Sequence, residues 1–167
     1  MTSYFESDEV DAFTTAAIGE PGSRTFYLQI RSQGRHVTMK CEKQQVAALS
    51  QYIRQLLADA PDVQERPLDD AMQVSTPLDV EFVVGTVGIA YDPRNDHMVI
   101  QIDEMRDDEA FTEGEDDEVS RVRIYISRGQ AAAFCEHADD VVAAGRPACI
   151  FCGRPKNVDG HACPRMN

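Results

Sequence analysis

Two stretches of this chain repeat one order of periodicities. Sliding the first by 85 positions brings Val37 onto Val122, Met39 onto Ile124, Cys41 onto Ile126, Gln45 onto Gln130, Leu49 onto Phe134 and Leu56-Leu57 onto Val141-Val142, with no gap. Such a repeat constrains the fold, because each unit alone leaves an apolar face open and two units can bury those faces together. In the first unit, Phe26, Leu28 and Ile30 alternate with polar neighbours, as do Val37, Met39 and Cys41, which is the period of a half-buried strand. Glu20-Pro-Gly-Ser23 is turn chemistry, so Ala12 to Ile18 is expected to be the hairpin partner of the strand at 25–30; Gln33-Gly-Arg35 makes the next turn. From Glu42 the period becomes helical, with Val46, Leu49, Ile53, Leu56 and Leu57 on one stripe that Asp59-Ala-Pro61 ends.

After a polar linker from Pro61 to Pro77 the order recurs. Val80 to Ala90 is a strand interrupted by Gly85 and Gly88, Met98, Ile100 and Ile102 mark a second, and Val122, Ile124 and Ile126 a third. Ala131, Phe134, Cys135, Ala138, Val141 and Val142 then form a helical stripe ended by Gly145. The expected fold class is α+β: two βββα pseudo-repeats, about 10–60 and 79–145, forming a mostly antiparallel sheet core with two helices in a domain spanning 8–145. Chance similarity between amphipathic segments is the competing account of the repeat.

Charge narrows the function classes. The 167 residues carry a net charge of −13, so unspecific attraction to nucleic-acid phosphates is disfavoured. Hydrophobic content of 43% and charged content of 27% suit a folded soluble protein. The N-terminal Met1-Thr-Ser-Tyr-Phe-Glu-Ser lacks the basic and apolar regions of a signal peptide, and no apolar run approaches a membrane span, so the cytoplasm is the expected compartment. Between Asp103 and Glu118 ten acids stand against Arg106 alone; this acidic loop has no EF-hand spacing and is expected to be a solvated spacer.

From residue 146 the chain changes character. Cys149-Ile-Phe-Cys152 is a C-x2-C knuckle followed by Gly153, and His161-Ala-Cys163 arrives behind the turn pair Asp159-Gly160. Cys149, Cys152, His161 and Cys163 form a Cys3His set that suits tetrahedral Zn2+ and leaves no open position, so the expected ion is structural. Thiolate-rich ligation argues against magnesium and calcium, and so short a loop disfavours an iron–sulfur cluster. The tail at 146–167 holds too few apolar residues to fold unaided, whereas zinc supplies about 10–16 kcal/mol in small modules of this kind. An odd count of five cysteines without a secretory signal argues against a disulfide framework, and Cys41 and Cys135 fall inside periodic segments as small buried hydrophobes.

With these residues in view, the chain resembles an actinobacterial family of conserved proteins known as a domain of unknown function. The matching segments are Gly19 to Gln29, Glu42 to Leu49, Arg121-Val-Arg123 with Ala131 to Phe134, and Ala144 to Pro147 continuing through Phe151-Cys-Gly-Arg-Pro155 to Gly160-His-Ala-Cys-Pro-Arg-Met-Asn167. Ala16-Ala17 departs from a more usual Thr-Val, and the acidic loop is sparse in prolines. The resemblance implies no particular catalysis. It does imply a protein partner, since genes of the family tend to lie beside a kinase-like and a histidine-phosphatase-like protein.

No phosphate-binding glycine loop and no nucleophile elbow is present in the sequence. His36 and His97 each open a strand beside a turn, and His137 lies on the polar side of the second helix, all three as surface residues. Tyr27, Gln29, Arg31, Gln101, Arg121, Arg123 and Tyr125 are polar positions on central strands and are expected to share one sheet face. The leading expectation is a non-enzymatic binding or adaptor protein with a zinc-ordered tail. An enzyme or small-ligand sensor using the polar sheet face is the alternative, and nucleic-acid binding through the basic tail a second.

Overall fold

Period-two alternation becomes strand and period-3.6 stripes become helix. The computed structural model describes residues 4–20, 22–60, 67, 69–106 and 119–144. The elements run β1 (Tyr4–Ser7), β2 (Ala12–Ile18), β3 (Thr25–Ser32), β4 (Arg35–Cys41), α1 (Lys43–Ala58), a 3-10 turn at Asp69–Met72, β5 (Val80–Asp92), β6 (His97–Glu104), β7 (Arg121–Ile126) and α2 (Arg128–Ala143). Phe26, Leu28 and Ile30 of β3, Val37 and Met39 of β4, Met98, Ile100 and Ile102 of β6, and Val122, Ile124 and Ile126 of β7 are all buried. Val46, Leu49 and Ile53 of α1 and Ala131, Phe134 and Ala138 of α2 join them in one core. The α+β body with its two βββα units is therefore present, β2-β3-β4-α1 followed by β5-β6-β7-α2.

The strand order is β1-β7-β6-β5-β4-β3-β2. Pairs within a unit are antiparallel, whereas the two junctions between units, β4 with β5 and β7 with β1, are parallel. β5 makes both kinds of pair: Val80 to Val83 lie against β4, and from Val84 onward it pairs with β6 alone. β1 and β2 together repeat this path, since β1 pairs β7 and β2 pairs β3. The short strand β1 is an addition to the sequence expectation, which began the first unit near residue 10.

β1 and β2 stand at opposite ends of the strand order, yet only residues 8–11 separate them. A flat sheet would place its edges six spacings apart, about 29 Å. The link can reach about 18 Å fully extended. The sheet must therefore curl until its edges almost meet. Contacts across the gap agree: Ser7 Oγ of β1 lies 2.7 Å from Ser32 Oγ of β3, and Ser32 Oγ donates to Glu9 O in the link at 2.9 Å.

The helices meet at equivalent residues of the repeat. Ser50 Oγ donates to Cys135 O at 3.5 Å and Cys135 Sγ donates to Ser50 O at 3.3 Å, while Arg54 pairs with Asp139. Each of these pairs is separated by the same 85 residues that align the sequence. Reciprocal contact between equivalent residues is how two halves meet across a local two-fold axis. Both helices open on equivalent capping boxes, Glu42 with Gln45 and Ser127 with Gln130, which satisfy the first backbone N–H groups. Each glutamine then crosses to the other unit's first strand segment: Gln45 Nε2 donates to Val84 O and Gly85 O at 3.1 and 3.2 Å, and Gln130 Nε2 to Val10 O at 2.7 Å.

Two sequence expectations need correction. Asp103 and Glu104, read as the start of the acidic loop, belong to β6, where Arg121 pairs with Asp103 at 2.7 Å and Ser120 N donates to Glu104 Oε2 at 3.0 Å. Residues 107–118 lie outside the described residues. The polar sheet face is also not open throughout. Gln29 is fully buried, with Nε2 donating to Thr38 Oγ1 and Ser75 O and Oε1 accepting from Ser75 N at 2.7 Å. Arg31 Nη2 donates to Ala71 O at 2.7 Å. The segment around residues 71–75 therefore covers one half of that face.

Candidate functional site

Where β5 leaves β4 after Val83, its neighbour on that side becomes helix α1. Between them lies a groove of about 590 Å3, lined by Gln45, Leu49, Tyr52 and Leu56 of α1, by Asp59 at the helix end, and by Gly85, Val87 and Ile89 of β5. Alternation puts Val87 and Ile89 on the core side of β5, half-buried, and leaves Thr86, Gly88 and Ala90 exposed. Tyr52 is 61% exposed, a large aromatic ring at the rim of an apolar surface. Gln45 closes one end by holding the Val84 and Gly85 carbonyls.

The equivalent junction, between α2 and β2, is packed shut among the described residues. Phe134, the counterpart of Leu49, stacks on Phe13 of β2 with ring centroids 4.4 Å apart and planes 6° from parallel. His137, the counterpart of Tyr52, donates from Nε2 to Thr15 O at 2.9 Å, so α2 is fastened to β2 at the position where α1 stands off from β5. This also corrects the expectation that His137 is a surface residue: it is half-buried and anchors the helix. Two phenylalanines fill the space at one junction, and at the other the equivalent positions hold the smaller Leu49 and Val87 beside an open groove. Gly85 is required where it is, because a Cβ there would come within 2.7 Å of Met105 Cα and 2.9 Å of Glu104 O.

A second, polar concavity of about 480 Å3 is lined by Glu6, Ser7, Asp8, Asn95, His97 and Tyr125. It borders the open half of the polar sheet face. There Arg121 pairs with Asp103, and Arg123 Nε donates to Gln101 Oε1 at 3.1 Å, so both guanidinium groups are engaged within the sheet. Nearby, Asp96 accepts from Arg128 at 2.6 Å and from Tyr91 Oη at 2.7 Å, pinning the β5–β6 hairpin to the start of α2. The Arg128 and Tyr91 bonds hold the Asp96 carboxyl below its usual range, and the bond to Asp96 pushes the Tyr91 phenol up.

Burial pushes the Cys41 thiol up to about 12 and raises that of Cys135 as well, the latter opposed by its bond to Ser50. Both are buried, as the sequence implied, and neither is a nucleophile at neutral pH. Among the described residues no group of three or more His, Cys, Asp or Glu side chains gathers as a metal would need. The four tail residues Cys149, Cys152, His161 and Cys163 lie outside the described residues. Among those described, no helix is long and apolar enough to cross a membrane.

The groove was missed in the sequence, where Leu49 and Leu56 read as core stripe. One signal was present: Thr86-Val-Gly-Ile-Ala-Tyr91 is six residues without a charge. A family model with the description "Protein of unknown function (DUF3090)" matches residues 5–163. No curated protein and no solved structure gives a significant match.

Proposed function

The chain belongs to that DUF3090 family, and from this footing we propose that it is a non-enzymatic adaptor that receives a protein partner in the groove between α1 and β5. One observation carries the reading: of the two equivalent junctions where a helix of one unit meets the first strand of the other, α2 on β2 is closed by a phenylalanine stack and α1 beside β5 stays open and apolar. An opening of this size lined by Leu, Val, Ile and a rim Tyr has the composition of a recognition surface, aromatic at the edge and apolar within. The tail at 146–167, ordered by one structural zinc ion on Cys149, Cys152, His161 and Cys163, is a separate docking element in this reading. The kinase-like or histidine-phosphatase-like neighbour that the resemblance implies is the first partner to test.

A photo-crosslinking side chain at position 52 tests the reading in living cells. One predominant protein adduct is expected, with none from position 4 on the outer sheet face. No protein adduct from position 52 would sink it. A small molecule retained in native mass spectrometry and lost in Leu56→Arg would replace it with a ligand sensor. For the tail, elemental analysis is expected to give about one zinc per chain, lost in Cys149→Ser and kept in Cys41→Ser; protein made with ample metal yet carrying none would refute that part.

A further inference from the structure

Resting on the adaptor reading of the groove, we infer that the partner enters it as an extended polypeptide segment that adds a strand to the free edge of β5. From Val84 to Asp92, β5 is paired on one side by β6 and, among the described residues, by no strand on the other. In an antiparallel pair every second residue turns its N–H and C=O away from its neighbour, so a row of backbone groups between Thr86 and Asp92 faces the groove side. Val84 and Gly85 have side-chain donors from Gln45 in place of a strand. The twin strand β2 has its own substitute, with His137 donating to Thr15 O. Tyr52 occupies the place of His137 and makes no equivalent bond to β5 among the described residues.

Exposed edges are ordinarily guarded by charges, proline or a covering element. Residues 86–91 of β5 carry no charge and no proline, in a chain of which 27% is charged. An unguarded edge beside an apolar groove is the arrangement that strand addition uses: backbone bonds supply affinity, and alternate side chains of the guest enter the groove. Seven residues of β5 span about 23 Å, room for a guest of six or seven residues. Its inward side chains would meet Leu56, Val87 and Ile89. Charge selects against a second copy, since two bodies at −13 repel, and favours a guest with lysine or arginine beside its apolar positions.

The test uses the full chain and a displayed library of random dodecapeptides. Enriched peptides are expected to alternate apolar residues with basic ones, and to lose at least about tenfold in affinity for Ile89→Lys. The best peptide is then made in two N-methylated forms, one methylated at its odd positions and one at its even positions. Strand addition requires that one form lose about tenfold or more while the other binds nearly as the parent, because only one set of N–H groups faces β5. Equal binding of both forms overturns the strand and leaves the groove as a partner site of another kind. No enrichment at all also overturns it, while the crosslinking at position 52 still decides the adaptor reading by itself. A concentration-dependent dimer abolished by Ile89→Lys would show a second copy on the edge and overturn the proposed guest.

Discussion

The two βββα units of this chain are built from the same elements and finished differently. The helix of the second unit, α2, lies on β2 of the first with Phe134 against Phe13 and His137 on a strand carbonyl. The helix of the first, α1, faces β5 of the second across an open groove, with Leu49 and Tyr52 at the equivalent places. Near the two-fold seam the halves are close copies, down to reciprocal bonds between Ser50 and Cys135. Away from it they diverge. The seam is common to both halves, whereas the outer flank of α1 is left open beside its strand.

Substitutions can break or sharpen that contrast. The largest effect is expected for Phe134→Ala, which empties a fully buried stack and should cost about 3–5 kcal/mol in urea unfolding. Leu56→Ala on the open flank should cost roughly 1 kcal/mol, since that side chain is only partly withdrawn from water. Equal losses would mean the flanks are not energetically distinct. Next come two glycines of β5. Gly85→Ala forces the backbone at Met105 to shift and should cost about 1–3 kcal/mol, whereas Gly88→Ala meets open space and should stay within about 0.5 kcal/mol of the parent.

A smaller effect is expected on transplanting the closed half's residue. Leu49→Phe has a groove to expand into, so stability should change by less than about 1 kcal/mol while binding of a groove ligand weakens. A large destabilisation would show that Leu49 has no room and that the groove is narrower than its outline. The smallest response is for the buried thiols. Cys41 and Cys135 should remain unmodified by iodoacetamide at pH 8 in the native protein and react once it is unfolded. The sign for Cys41 is fixed by its folded value: a thiol held protonated to about 12 contributes fully below its ordinary 9.0, and that contribution is lost as pH rises through about 12.

Much of the fold was legible because its signals are local. Strands β3, β4, β6 and β7 alternate within themselves, and both helices carry their stripes, so their period alone identifies them. β1 was not legible. Its four residues gain strand structure only by pairing with Arg121 to Ile124, far along the chain, and no local pattern announces such a pair. The covering of Gln29 and Arg31 was hidden for the same reason, since Ala71 and Ser75 lie in a linker without periodicity. The groove required knowing where β5 parts from β4, which depends on the irregular register near Gly85. A Leu and a Phe at equivalent stripe positions look alike in hydropathy; only volume against a defined neighbour tells them apart.

The short link between β1 and β2 has a consequence for how the molecule is made. β1 is synthesised before its partner β7, which follows on the order of a hundred residues later, about 5–20 s at ordinary elongation rates. Until then the curled sheet has no last stave, and its first unit can assemble only as an open meander. Closure is thus a late event, governed by the longest-range pairing in the topology, which is the slow kind. Substitutions in β1 should therefore speed unfolding and leave the folding rate nearly unchanged; a β1 variant that folded markedly more slowly would place closure in the nucleus instead.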